Sequence, residues 1–202
     1  MSASVRAKAV GRRLPRSFYR RDPREVAPDL LNKVLVAADG RRARIVETEA
    51  YCGPLDAAAH TYRGKTARNA VMFGAPGLLY VYFTYGMHYC CNAVCGEEGE
   101  GVAVLLRAAE PLAGLALMRE ARPAAKRDRD LCSGPARLCQ ALGIGRAQDG
   151  VDLVTGAGGY GIVDDGVAPP EDPMVTTRIG IRHAAEEPWR WYVPGNPNVS
   201  RR

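Results

Sequence analysis

The chain has 202 residues, 47% of them hydrophobic and 25% charged, which is enough apolar content for one sizeable core and excludes a disordered chain. Its net charge of +6 sits at the N-terminus. Arg6, Lys8, Arg12, Arg13, Arg16, Arg20 and Arg21 are joined by no acidic residue in positions 1–21, so the other 181 residues carry about −1. The most apolar stretch, residues 101–118, is broken by Arg107 and Glu110, which excludes a spanning helix. The charged N-terminus is followed by no apolar run, so a secretory signal is excluded and a cytoplasmic protein is expected.

Residues 1–13 read as a basic arm, either drawn to phosphate or simply solvated, ahead of a single domain over 14–202. Asp29-Leu30-Leu31 reads as the end of a short helix. Residues 33–37 (KVLVA) and 42–51 (RARIVETEAY) flank Asp39-Gly40, a favoured turn dipeptide, and predict a hairpin. The loop over 52–76 is long for a compact domain, and long loops tend to carry function. Residues 78–84 (LLYVYFT) and 87–95 (MHYCCNAVC) predict a second hairpin, rich in aromatics, that protrudes with Tyr85-Gly86 at its tip. A strand over 102–106 is followed by a helix over 111–121 with Pro111 in its first turn. Another helix opens at Ser133-Gly134-Pro135, with Ser133 as its cap, and closes at Gly143. Residues 174–182 and 189–193 predict final strands. The sum is a mixed α/β (α+β) domain: a mainly antiparallel, curved sheet with flanking helices.

Cys52, Cys90, Cys91, Cys95, Cys132 and Cys139 form no CxxC pair and read as buried small residues. His60, His88 and His183 lack ligand spacing, so no metal is expected. No glycine-rich phosphate loop implies a nucleotide cofactor. Lys65 is the only lysine in the long loop, which argues against a Schiff base.

On the strand over 42–51, period-two alternation puts Glu47, Glu49 and Tyr51 on one face. Acidic residues are disfavoured in strands, so the pair signals a general base for an attacking water, a solvated edge, or ion pairs with nearby arginines. Spacing does not choose between Glu47 and Glu49. Tyr85 at a hairpin tip has no core to enter; it is either a wedge between stacked bases or an ordinary turn tyrosine. Tyr80 and Tyr82 share a strand face, and with Tyr51 and His60 they either line an aromatic slot for a flat base or belong to the core.

VETEAY (46–51), DAAAH (56–60), ARN (67–69), MFG (72–74), PGLLYVYFTYGMHYCCN (76–92), VLLRAAEP (104–111), LCSGPARLCQALGI (131–144) and YVPGNPNVS (192–200) together closely resemble the alkyladenine (3-methyladenine) DNA glycosylase family. The resemblance runs from about Leu14 to Ser200. It implies a monofunctional enzyme of base excision repair, without metal or cofactor, acting as a monomer on double-stranded DNA. Its substrates would be alkylated or deaminated purines: 3-methyladenine, 7-methylguanine, hypoxanthine and ethenoadenine. Glu49 matches the family's general base, which resolves the choice that spacing left open, and Arg107 matches the residue holding the water. Tyr51, His60 and Tyr82 match the pocket around the flipped base. Asn92 matches the pocket-floor residue that obstructs the guanine amino group, and Tyr85 the residue that fills the gap in the duplex. Arg63, Arg68 and Arg137 are candidates for phosphate contacts. A non-catalytic binder of damaged DNA would account for the arm and Tyr85 but would leave Glu49 without a role. Residues 147–172 follow the family pattern only loosely.

Overall fold

In the computed structural model, which describes residues 11–200, the chain opens with a two-residue strand, β1 (Arg12–Arg13), antiparallel to β7 (Tyr160–Asp164). Arg6 and Lys8 of the expected arm lie outside the described residues. Arg12 and Arg13, assigned to that arm by charge alone, are part of the sheet. Arg13 donates to the Tyr160 carbonyl at 3.1 Å, so at least one arm cation serves the fold.

After α1 (Arg16–Tyr19), α2 (Pro23–Asp29) starts where Asp22 accepts the Arg24 N–H at 2.8 Å and Pro23 presets the first turn. Its buried Val26 and Ala27 face the sheet, and the Ala27 carbonyl satisfies the buried Thr48 hydroxyl at 2.9 Å. β2 (Val34–Ala37) and β3 (Arg42–Tyr51) form the hairpin expected around Asp39-Gly40. The aromatic hairpin is β4 (Leu79–Thr84) and β5 (His88–Cys95), and β6 (Val102–Ala113) follows. The sheet runs β1-β7-β2-β3-β6-β5-β4 with antiparallel neighbours throughout. β9 (Arg190–Tyr192) covers the end of β3 that β2 leaves open, and β8 (Met174–Thr176) pairs with β9. Leu35, Ile45, Leu79 and Leu106 from the strands pack with Leu30, Met118, Leu138 and Leu142 from the helical side. Each such side chain contributes about 1.5–3 kcal/mol when fully buried.

β6 is more than twice the expected length and takes up Pro111, read above as the start of a helix. Pro111 lies opposite Ala43 beside a register shift, where a missing ladder N–H is tolerated. The helix, α3 (Leu115–Ala121), begins only after Gly114 has turned the chain at φ 73°. In α4 (Pro135–Leu142) the cap position falls on Gly134, and the Ser133 hydroxyl accepts from Arg137 instead of capping. Gly143 closes α4 in the left-handed conformation, as expected. β7 was unread because its glycine-rich approach looks like loop. The strand expected over 174–182 stops at Thr176, since beyond it the chain bonds to buried carboxylates rather than to a neighbouring strand. All six cysteines are buried and free.

Two register shifts between β3 and β6 shape the site. Pairing moves from Ile45↔Ala109 to Glu47↔Ala108, and then to Thr48↔Leu106. Val46 is the extra residue on β3, and Arg107 the extra residue on β6. Bulges re-aim a side chain without breaking the sheet, and here the re-aimed side chain is Arg107.

Candidate active site

Arg107 lies against two carboxylates, both fully buried. Its Nε donates to Glu47 Oε1 at 2.9 Å, and its Nη1 lies 3.1 Å from Glu49 Oε1. The solvated-edge reading of these glutamates is therefore wrong, since β6 and β9 cover both sides of β3 there, while the reading of ion pairs with arginines holds for both.

The two carboxylates differ in what else they accept. Glu47 Oε1 also takes Arg190 Nε at 2.8 Å and the Ser200 hydroxyl at 2.9 Å, and its Oε2 takes the Ser200 N–H at 2.7 Å. Glu49 Oε1 takes the Ile179 N–H at 2.8 Å, while among the described residues the only donor to its Oε2 is the Tyr51 hydroxyl at 3.0 Å. A carboxylate offers about four lone-pair positions. Glu47 has four donors on them and Glu49 three. Glu47 is a structural hub joining β3, β6, β9 and the C-terminal segment; Glu49 has one donor fewer among the described residues. Removing one partner from a buried ionic cluster costs about 3–5 kcal/mol. Glu47→Gln is accordingly expected to lose that much in urea unfolding with an unchanged m-value, and a loss below about 1 kcal/mol would show the hub to be dispensable.

Burial pushes the Glu49 carboxyl above the usual carboxylate range, with Arg107, the Ile179 N–H and the Tyr51 hydroxyl opposing the rise. Tyr51 is also pushed well up, by burial and by the adjacent Glu49 charge, so its phenol stays protonated and donates.

Above this pair opens a cavity of about 320 Å³, lined among others by Tyr51, His60, Tyr80, Tyr82, Asn92 and Arg107. The rings of Tyr80 and Tyr82 stack with centroids 5.6 Å apart, and His60 stands edge-on to Tyr82 at 4.5 Å. Tyr80 is buried with Met72, Val94 and Ala103, so it is both core and wall; Tyr82 is half-buried. His60 Nδ1 lies 3.2 Å from the Tyr80 hydroxyl. His60 as a residue is exposed, yet neighbouring rings desolvate its imidazole and the Arg68 charge adds to the effect, so its pKa is lowered and the ring is neutral near pH 7. Asn92 is buried opposite Tyr80 in the β4–β5 register and donates to the Tyr80 carbonyl at 3.3 Å.

The same cavity reaches Thr84 and Tyr85 at the hairpin tip. Tyr85 is 79% exposed, with Met87 and Phe83 exposed beside it. Tyr85 and Gly86 both have positive φ, 52° and 68°, and the Met87 N–H bonds the Thr84 carbonyl at 3.2 Å, which makes a tight mirror-image turn.

A family model described as Methylpurine-DNA glycosylase (MPG) matches residues 17–197. The chain belongs to this family. It is 67% identical over 187 residues to a protein of Burkholderia orbicola (strain MC0-3) named "Putative 3-methyladenine DNA glycosylase", covering 93% of this chain and 90% of that one. Proteins with the same name match from Carboxydothermus hydrogenoformans, 50% identical with 94% and 99% covered, and from Streptomyces avermitilis, 47% identical with 93% and 90% covered. The chain is thus a DNA glycosylase, a hydrolase of the bond between base and sugar.

The fold of this glycosylase gathers Arg107, Tyr51, His60, Tyr82 and Asn92 around one cavity with Tyr85 at its rim; Glu49 does not line the cavity but bonds or pairs with three residues that do, Tyr51, Arg107 and Ile179. Arg63, Arg68 and Arg137 are exposed, and none is ion-paired among the described residues. Arg68 ties to the hairpin through the Phe83 carbonyl at 3.1 Å, whereas Arg137 bonds the Ser133 carbonyl and hydroxyl. Among the described residues no cluster of histidine, cysteine, aspartate or glutamate is placed to hold a metal, and no helix is long and apolar enough to cross a membrane. The wall formed by residues 179–183 escaped sequence reading, as did Arg190 and Ser200 as partners of Glu47. Of these, Ser200 alone falls in a motif quoted above, the C-terminal YVPGNPNVS.

Proposed function

We propose that this glycosylase hydrolyses alkylated and deaminated purines from double-stranded DNA as a monofunctional, cofactor-free monomer, after flipping the damaged nucleotide into the aromatic cavity. The observation that carries the reading is Glu49: a buried carboxylate whose Oε1 lies 3.1 Å from Arg107 and whose Oε2, among the described residues, takes the Tyr51 hydroxyl alone, both partners lining the cavity.

In this mechanism the duplex binds through phosphate contacts to Arg63, Arg68 and Arg137, which gives salt-sensitive affinity without sequence preference. Tyr85 takes the place of the extruded nucleotide. Extrusion is least costly for a base that already pairs badly, so lesions are favoured before the pocket reads them. Tyr51, His60 and Tyr82 hold the base, and Asn92 obstructs the amino group of guanine. Glu49 and Arg107 hold a water against C1′. The water oxygen bonds to C1′, Glu49 takes its proton, and the N-glycosidic electron pair leaves with the purine. A cationic alkylpurine departs as a neutral base, whereas a neutral purine such as hypoxanthine must take a proton on its ring as the bond breaks. The Glu49 carboxylate also opposes the positive charge that grows on the sugar. The product is an abasic site.

The deciding experiment is single-turnover release by the wild-type protein from duplexes carrying hypoxanthine, ethenoadenine, 7-methylguanine or 3-methyladenine. Release from at least one supports the reading; lesion binding with every base left attached would establish a binder instead. The same assay run across pH tests the base. Glu49 acts only when ionised, and burial raises its pKa. Release should therefore fall with falling pH along a limb lying above the ordinary carboxylate range, and a rate flat down to that range would contradict it.

A further inference from the structure

Two walls of the cavity come from loops far apart in the chain: Ala57, Ala58 and His60 on one side, Ile179 to His183 on the other. Neither loop has a strand ladder to fix it. What joins them is a fully buried ion pair, in which Arg178 Nη2 donates to Asp56 Oδ1 at 2.9 Å and Nη1 donates to Oδ2. The remaining acceptors of Asp56 are filled from its own loop, by the Cys52 N–H at 3.2 Å and the Ala58 N–H at 3.0 Å. Arg178 in turn donates to the carbonyls of Ala50 at 3.0 Å and Ala184 at 3.1 Å, so it reaches β3 and the far end of its own loop. Its guanidinium carbon also lies 4.8 Å from the centroid of the Tyr51 ring and 4.9 Å from that of Trp189. Arg178 does not line the cavity, and Tyr51 does. The cation therefore packs on the Tyr51 ring without itself lining the cavity.

The next peptide group after Arg178 is the Ile179 N–H, which donates to Glu49. We infer that Arg178 is a positioning residue for the glycosylase reaction, fixing through one buried pair both the amide that holds Glu49 and the ring on which the flipped base stacks. This rests on the role proposed for Glu49. Two distant loops, a carboxylate and a stacking surface share one anchor, so a small displacement of Arg178 moves all of them together. Lysine cannot replace it. A point ammonium has no planar fork to meet both Asp56 oxygens and two carbonyls while covering a ring.

The test uses full-length Arg178→Met, Arg178→Lys and the double variant Asp56→Asn with Arg178→Met, which leaves no charge stranded if the single variant fails to fold. Single-turnover release from hypoxanthine duplex is measured across pH, alongside thermal unfolding and binding to an abasic analogue. The double variant is expected to unfold cooperatively and to release base on the order of 10²-fold more slowly, the cost of a catalytic group held loosely. Its rate relative to wild type should fall further as pH drops, because a carboxylate that has lost an amide donor protonates more readily. Arg178→Lys should share that pH dependence. A double variant with wild-type rate and pH profile, or one whose loss is uniform across pH and equals its loss of folded protein, overturns the inference and leaves the role of Glu49 intact. An acid limb that persists in Glu49→Gln would overturn the role of Glu49 itself.

Discussion

Glu49→Gln is expected to bind lesion-containing duplex as wild type does and to release hypoxanthine about 10²–10⁴-fold more slowly, the range that a positioned general base supplies. The substitution suits the test because the amide fits the existing partners. With its carbonyl oxygen toward the Ile179 N–H and Arg107, its NH₂ faces the Tyr51 phenol oxygen, which can accept as well as donate. What disappears is the charge and the proton acceptor. The loss should be larger for hypoxanthine, a poor leaving group that needs an activated water, than for 7-methylguanine, which leaves as a neutral base from a cation. Single-turnover release on both duplexes, with affinities from gel shift, decides the matter. A variant releasing hypoxanthine near the wild-type rate would remove Glu49 from the chemistry.

Glu47 shows why the two glutamates cannot be exchanged, although alternation along the strand makes them look equivalent. Periodicity reports which face a side chain leaves from, and both do leave one face of β3. It does not report what arrives on that face from residues 107, 179, 190 and 200. Among the described residues those positions give Glu47 four donors and, with Tyr51, give Glu49 three. Short-range signals were legible for the same reason: Asp39-Gly40 and Tyr85-Gly86 hold the chemistry of their own turns. Longer-range features were not. The bulge at Arg107 exists only as a mismatch between two strands, and Pro111 reads as a helix start until β3 is seen opposite it. Arg178 sits in a run that alternates like a strand, MVTTRIGIR, yet it leaves the sheet because Asp56 and Glu49 compete successfully for its side chain and the next amide. The resemblance to glycosylases named the residues around the cavity; the energetic reasons for their positions appeared only with the fold.

Tyr85→Ser is expected to weaken binding to damaged duplex by roughly 10-fold or more, the equivalent of losing about 1–3 kcal/mol of base–aromatic stacking. Binding to a duplex with an abasic analogue should change far less, since no stacked base has to leave it. The argument begins with backbone cost. A non-glycine residue at φ 52° sits in the left-handed region, which is disfavoured by roughly 1–2 kcal/mol for an L-residue. The fold gains nothing in return, because the ring is 79% exposed. A strained, exposed aromatic at a tight turn points to a role outside the fold, and this one stands at the rim of the cavity proposed to take the base. The flanking Phe83 and Met87 are exposed on the same tip, so the whole tip presents apolar surface where a duplex with a vacated stack would present its own. Serine keeps the turn and removes the ring, so thermal stability should move by no more than about 0.5 kcal/mol, as for surface substitutions generally. Affinities that fall equally for the lesion and abasic duplexes would mean that Tyr85 is a general DNA contact rather than the residue that fills the gap.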